Sequence, residues 1–171
     1  MCGAAKVNHL SLGFGLAVIC SLVADSANAV VFNSPDGAFT VEFPGRPILA
    51  KSQGRTDKGT AYEKSQWSVR TKDGYWSVTT FIYAKPRKAD YSANVNGAVS
   101  AAKGHLVSDQ PIRQDSVDGH EILIDAGKSG VIRERILWVA RTLYFVAYAG
   151  EAAAANGSEV DEFLVSFEAV K

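Results

Sequence analysis

Cysteine is scarce in this sequence. The chain has 171 residues and two cysteines, Cys2 and Cys20, and both lie in an N-terminal segment that has the composition of a leader. Because the rest of the chain has no thiol, it forms no disulfide, has no thiolate nucleophile and offers no cysteine-ligated metal. Its fold must therefore be stabilised by packing alone.

An excess of charge of either sign is also absent. Lysine and arginine number 18, aspartate and glutamate number 18, and the net charge at pH 7 is zero. Removing Lys6 and Asp25 with the leader leaves 17 of each sign. This balance gives no electrostatic reason to expect a nucleic acid or an anionic membrane as the partner.

Recognisable catalytic motifs are missing as well. Ser158 stands in an Asn-Gly-Ser-Glu segment rather than in the Gly-x-Ser-x-Gly turn of a hydrolase, and residues 127–130 lack the pattern of a phosphate-binding loop. Outside the leader the histidines are His105 and His120, and a hydrolase would need one of them beside a serine and a carboxylate. The sequence therefore predicts no catalytic residue and no cofactor, with a hydrolase kept as an alternative.

Metal-ligating side chains are densest between Asp115 and Glu121. The candidate set in and near this stretch comprises His105, Asp109, Asp115, Asp118 and His120. These residues lack the His-x-x-x-His spacing of zinc sites and the spacing of a calcium loop, and Asp118-Gly119 is also an ordinary turn sequence. We therefore predict no bound metal, and this set defines where one would be sought.

The first 29 residues have the three parts of an export signal. Lys6 gives the positive start, Leu10–Val23 is an apolar run, and Ala27 and Ala29 form the small-x-small site that signal peptidase recognises. The apolar run is shorter than the roughly 20 residues of a membrane-spanning helix, which disfavours a retained anchor. We expect cleavage before Val30 and delivery to the bacterial periplasm or the medium, with no stable membrane anchor afterwards.

Residues 30–171 would form the mature chain. Removal of residues 1–29 from 171 leaves 142 residues, which fits one domain with its own core. Strand patterns dominate this segment, at residues 38–43, 48–53, 60–69, 75–83, 106–114, 120–126, 131–139 and 143–149. Short turns join successive strands, at Asp73-Gly74, residues 116–119 and residues 127–130. Such turns predict an antiparallel sheet.

Two helix patterns complete the prediction. Asp90 is a candidate N-cap for a helix that Gly104 ends, with the apolar stripe Tyr91, Val95, Ala98, Val99 and Ala102. Ser158 is a candidate N-cap for a second helix, with the stripe Val160, Phe163, Leu164 and Phe167. Strand 143–149 is apolar on both faces, which predicts a central strand with helices on both sides of the sheet. The fold class is therefore α+β, an antiparallel sheet with helices packed on it.

Three arginines are the most distinctive polar feature. Arg133 and Arg135 alternate on one face of strand 131–139, and Arg141 follows that strand. On a helix-covered face each needs a carboxylate, because an unpaired buried charge is costly. The candidate partners are Glu121, Asp125 and Glu63. The alternative is a contact site for an anion or an acidic partner, which would show as arginines that converge without carboxylates.

Three segments resemble the small exported bacterial domains related to the Mog1/PsbP-like fold. They are Phe39–Pro47, the arginine-rich strand that leads to Leu143-Tyr144, and Phe163–Phe167. The resemblance covers most of the mature chain and implies an α/β/α sandwich with an antiparallel sheet between helices. It also implies a non-enzymatic binding or assembly role, as PsbP has in the photosystem on the lumenal side and Mog1 has with a small GTPase. No catalytic residues come with the pattern, and neither partner transfers, because fold does not determine function.

These observations predict an exported, monomeric, non-enzymatic binding or accessory protein. Its partner is an unidentified protein or small molecule, and it carries no cofactor. The alternative within the binding class is a carrier of a small apolar ligand. A carrier requires an empty pocket of several hundred cubic ångströms between a helix and the sheet.

Overall fold

The computed structural model describes residues 29–170 except residues 57 and 86. The predicted export signal lies outside the described residues apart from Ala29. The strands and helices, in chain order, are β1 (Val30–Asn33), β2 (Phe39–Phe43), β3 (Ile48–Arg55), β4 (Ala61–Arg70), β5 (Gly74–Tyr83), α1 (Tyr91–Ala102), β6 (His105–Gln114), β7 (Val117–Asp125), β8 (Val131–Val139), β9 (Thr142–Gly150), α2 (Ala152–Ala155), α3 (Ser158–Ser166) and β10 (Glu168–Ala169). None of the helices in this described part is long and apolar enough to cross a membrane.

A seven-stranded antiparallel sheet forms the centre of the fold, with the order β3-β4-β5-β9-β8-β7-β6. Strand β9 is the middle strand, which confirms the position predicted from its two apolar faces. Strands β4 and β5 pair as the hairpin that Asp73-Gly74 predicts. The α+β class and the antiparallel arrangement are likewise confirmed.

One side of the sheet, here named the covered face, is closed by α2, α3 and a small second sheet. The second sheet has the order β1-β2-β10, and its Phe39 ring packs edge-on against Trp67 with centroids 5.0 Å apart. Phe163 of α3 packs edge-on against Trp76 at 5.3 Å. Burial of each such side chain stabilises the fold by roughly 1.5 to 3 kcal/mol. The main aromatic core therefore lies on this side, as the α3 stripe predicts.

The opposite side, here named the pocket face, is covered only in part by α1. Val95 of α1 is buried with Ile122, Ile124 and Ile136 of β7 and β8. The helix contacts β7 and β8, whereas β4 and β5 lie on the far side of a gap. The predicted cap is confirmed, because the Asp90 carboxylate accepts a hydrogen bond from the Ala93 backbone N–H at 3.0 Å.

Two local predictions are wrong. Ser158 is the first helical residue of α3 and caps nothing; the N-cap is Gly157, whose backbone is extended and which carries no capping side chain. The turn predicted at Asp118-Gly119 lies earlier, at Asp115 and Ser116, where φ is 46° and 69°. A two-residue turn of this kind matches the twist of a hairpin. Both Asp118 and Gly119 are therefore strand residues of β7.

Short elements escaped prediction. Strands β1 and β10 have 4 and 2 residues, and helix α2 has 4. Elements of this length carry too few residues to show a period of 2 or 3.6. Their positions depend on β2 and on the sheet surface beneath them, which are contacts distant in sequence.

Candidate ligand-binding pocket

Arg133 and Arg135 share a carboxylate, Glu121, on the covered face. The Arg133 guanidinium lies 2.7 Å from Glu121 Oε1, and Arg135 Nε donates to Glu121 Oε2 at 2.7 Å. Burial alone would raise the pKa of Glu121, but the hydrogen bonds and charges of the two arginines outweigh it, so the pKa lies below its ordinary value. Of the three predicted partners the structure uses Glu121, and it adds Asp161, which accepts from Arg133 at 2.6 Å.

The same arginines satisfy carbonyl oxygens at the ends of α2 and α3. Arg133 donates to the Ala155 carbonyl at 3.1 Å, and Arg135 donates to the Leu164 carbonyl at 3.0 Å. Gln114 adds a second group at this end of α3, because its amide nitrogen donates to the Phe167 carbonyl at 2.6 Å. Helix ends leave such carbonyls unpaired, and a cation there is favourable. These two arginines therefore hold the helices to the sheet.

Arg141 is not part of that group. It is exposed at the β8–β9 turn and lines a separate pocket of about 510 Å³ at the ends of β3, β4 and β5. The three arginines thus do not converge, and a contact role for Arg141 stays a prediction.

The histidines pair with carboxylates on different strands. His120 Nδ1 lies 2.5 Å from Asp109 Oδ1, and the Tyr91 ring stacks on the imidazole with centroids 4.8 Å apart. His105 lies 3.5 Å from Asp125. Across residues 29–170, gaps excepted, neither imidazole has a hydrogen bond to a serine or threonine hydroxyl, so the geometry of a hydrolase triad is not assembled there.

The candidate metal residues do not come together as a set. Of the five, the structure joins only His120 and Asp109, while Asp118 pairs with Arg113 at 3.1 Å. Within the described ranges no group of three or more potential ligands is close enough to hold a metal ion.

A pocket of about 490 Å³ lies between α1 and the pocket face of the sheet. Its floor comes from β5, β8 and β9, and one wall is the side of α1 that faces β5. The apolar lining residues include two phenylalanines, Phe81 and Phe145, and the branched residues Ile132 and Leu143. This is the empty space between helix and sheet that the carrier alternative requires.

Small side chains on both sides create this space. Helix α1 lines it with Ala93, Gly97, Ala98 and Ala101, and β9 lines it with Ala147 and Ala149. A Cβ added at Gly97 would meet no atom within 4 Å. Larger residues at these places would fill the gap, so the volume follows directly from the local composition.

Glu134 is the one carboxylate among the described residues that line this pocket. It lies on β8 between Ile132 and Ile136, and its lateral neighbours in the sheet are Ile122 and Ala147. The residue is 8% exposed, and no hydrogen bond or ion pair to its carboxyl group occurs among the residues that the structure describes. Burial raises the pKa of Glu134 to about 8. At pH 7 the group is therefore mostly protonated.

Asn94 of α1 adds a second unmatched polar group to the lining. Its Nδ2 atom is buried and has no hydrogen-bond partner in the described part of the chain. A buried donor without an acceptor costs about 1 to 3 kcal/mol. The lining thus includes the Glu134 carboxyl and the Asn94 amide nitrogen, for which the described residues provide no hydrogen-bond partner.

Comparison with known proteins agrees with this architecture. No protein-family model matches the chain, and no curated protein matches it. The solution structure of cyanobacterial PsbP (CyanoP) from Synechocystis sp. PCC 6803 is similar, with a TM-score of 0.56 and 10% sequence identity. The similarity covers 88% of this chain and 97% of that one. The chain has a PsbP-like fold.

The PsbP-like fold confirms the fold that the three short segments imply. Phe39 and Phe43 of the first segment and Phe163 and Phe167 of the last are buried together in the core of the covered face. Because the identity is 10%, the likeness shows the fold and carries no residue of a site from one chain to the other. The pocket must be interpreted from its own residues.

Sequence reasoning missed Glu134, although a signal was present. Its neighbours at i−2 and i+2, Ile132 and Ile136, are the residues assigned to the apolar face of that strand. Alternation therefore places Glu134 on the apolar face as well. A charged residue between two isoleucines on a buried face is unusual enough to mark a candidate site.

Proposed function

We propose that this PsbP-like protein is an exported, non-enzymatic accessory protein that acts by binding a small, mainly apolar ligand between α1 and the sheet. The observation that carries the proposal is the pocket of about 490 Å³ lined by small and aromatic side chains. Pockets of several hundred cubic ångströms with mostly apolar walls and few polar groups are typical of small-molecule sites.

The polar content of the pocket supports binding rather than catalysis. Among the described residues that line it, Glu134 is the one carboxylate and there is no histidine; the other titratable side chains are Lys64, Tyr75 and Tyr83. General acid–base catalysis most often uses a histidine or a pair of carboxylates, and the described lining has neither. We propose export from the leader pattern of residues 1–29. An exported accessory protein would act outside the cytoplasm.

Titration of the purified protein with N-phenyl-1-naphthylamine, which fluoresces in apolar surroundings, tests this proposal. We expect a saturable rise in emission from the wild type. Gly97→Leu is the matched variant. Gly97 lines the pocket, a Cβ there meets no atom within 4 Å, and leucine is a better helix former than glycine, so we expect the larger side chain to occupy pocket volume without disrupting the helix. This variant should fold and lose the signal. Absence of saturable binding to the wild type, or equal binding to the folded variant, would refute the proposal.

A further inference from the structure

Burial of the Glu134 carboxyl destabilises the folded chain, and no hydrogen bond or ion pair among the described residues offsets this loss. It is buried, unpaired and placed among isoleucines and alanines, where an apolar side chain of similar size would be more stable. Unpaired titratable groups in a pocket are characteristic of binding and reaction sites. The carboxyl also lies on the pocket floor, where a ligand can reach it.

Among the residues that the structure describes, no lysine, arginine or histidine forms an ion pair with this carboxyl. Lys64 lines the pocket, but its Nζ lies 5.6 Å from the centroid of the Phe81 ring and has no carboxylate partner in the described ranges. Other charged or titratable groups on this face, or packed against it, include Tyr75, Tyr83, Arg70, Arg87, Tyr91, His120 and Asp109. The Arg87 guanidinium stacks on the Tyr83 ring, 4.9 Å from its centroid. Arg70 stacks on Tyr75 at 5.2 Å, and Tyr91 stacks on the His120–Asp109 pair away from the pocket. When this carboxyl is ionised, a cationic ligand can supply the positive charge that these side chains do not.

The walls suit a cation with an apolar body. Phe81, Phe145, Tyr75 and Tyr83 give the pocket aromatic faces, which attract cations, and the alanines leave room for apolar groups. An ammonium group also donates up to three hydrogen bonds, so one carboxylate satisfies much of its capacity. An anionic ligand would meet the same carboxyl with like charge and gain nothing from the aromatic rings.

We propose that the pocket binds small amines, with the ammonium group paired to the Glu134 carboxylate and an apolar or aromatic body between α1 and β5. This inference rests on the proposed function and names its ligand class. The Asn94 amide, buried without an acceptor, gives a hydrogen-bonding position for an oxygen atom on the same ligand. An amine that also carries a hydroxyl or carbonyl group would pair its ammonium with Glu134 and accept a hydrogen bond from Asn94.

Three isosteric probes of different charge test the inference by calorimetric titration: 2-phenylethylamine, 2-phenylethanol and phenylacetate. The amine should bind most tightly at pH 8. Because a carboxyl with a pKa of about 8 is about 1% ionised at pH 6 and half ionised at pH 8, amine affinity should rise about fifty-fold over that range. The alcohol should bind weakly, with no comparable pH dependence, and phenylacetate should bind weakest at pH 8.

Glu134→Gln is the decisive variant, since glutamine keeps the shape and removes the charge. It should lose about tenfold or more of the amine affinity at pH 8, lose the pH dependence, and bind the alcohol as the wild type does. Gly97→Leu should lose all three probes.

The outcomes separate the inference from the proposed function. If N-phenyl-1-naphthylamine and 2-phenylethanol bind in a manner sensitive to Gly97→Leu but the amine gains nothing from Glu134, the amine inference fails alone. Tighter binding of phenylacetate or the alcohol at low pH would also overturn it, because the protonated carboxyl would then be the donor. If no probe binds the folded wild type, the pocket function itself fails.

Discussion

Replacing Glu134 by glutamine should stabilise the protein in a pH-dependent way. The pKa is about 8 in the folded chain and 4.5 ordinarily, as in the unfolded chain. Below pH 4 both states hold the proton, so an uncharged isostere changes little. Between the two pKa values the unfolded chain loses its proton and the folded chain keeps it, so the wild-type free energy of unfolding falls as the pH rises.

The magnitude follows from the two pKa values. Each pH unit in this range lowers the wild-type free energy of unfolding by about 1.4 kcal/mol. The loss reaches roughly 3 kcal/mol at pH 7 and levels off near roughly 5 kcal/mol above pH 8. A domain is stable by only about 5 to 15 kcal/mol, so the effect is large. Glu134→Gln should remove this loss at every pH.

Urea unfolding at several pH values between 4 and 9 measures the effect. Tryptophan emission reports it well, because Trp67 and Trp76 are buried in the core of the covered face. The matched control is Glu63→Gln, at an exposed position of β4, which should change stability by less than about 0.5 kcal/mol at each pH. A stability difference between wild type and Glu134→Gln that stays constant from pH 4 to pH 8 would refute the reasoning, provided that the urea dependence is unchanged.

Three further predictions concern the ion pairs, the helix and the leader. Glu121→Gln should destabilise by roughly 3 kcal/mol at pH 7, because it leaves the two β8 arginines without their shared carboxylate. Since the pKa of Glu121 is lowered, its contribution is present above pH 4.5 and lost as the pH falls; a deficit that persists in urea unfolding at pH 2 would contradict this. Gly97→Ala should increase the free energy of unfolding by about 1 kcal/mol and raise the thermal midpoint, because alanine is the better helix former and its methyl group meets no atom within 4 Å. A lower midpoint would show that the methyl group does not fit beside α1. In a bacterial host, the exported form of the full chain should begin at Val30 by mass spectrometry, and Ala29→Leu should accumulate the precursor; an intact leader on exported wild type would disprove cleavage there.

The sheet was predictable because local signals agree with the global arrangement. Strand β9 shows apolar residues on both faces, and it occupies the centre of seven strands with α1 on one side and α2 and α3 on the other. Asp73-Gly74 forms the predicted hairpin, and Asp90 forms the predicted cap. The hairpin and the cap each depend on an interaction that spans only a few residues, and the apolar pattern of β9 is itself a local feature of the sequence.

The ion pairs of the covered face and the pocket on the opposite face were less predictable, because both depend on residues distant in sequence. Asp161 pairs with Arg133 across 28 residues, and Gln114 reaches the end of α3 from 50 residues away. No local pattern encodes such distances. The pocket itself is an absence of atoms between α1 and β9, and composition indicates it only once the two elements are known to face each other.

The side-chain amide of Gln114 links the end of β6 to residues 164–167, which include the end of α3. The group donates to carbonyl oxygens of Leu164, Val165 and Phe167 and accepts from Arg135, so one side chain fastens the β6–β7 hairpin to the C-terminal segment. Release of residues 164–167 therefore requires loss of these bonds at the hairpin tip. We expect residues 164–167 to resist proteases and to exchange their amide hydrogens slowly.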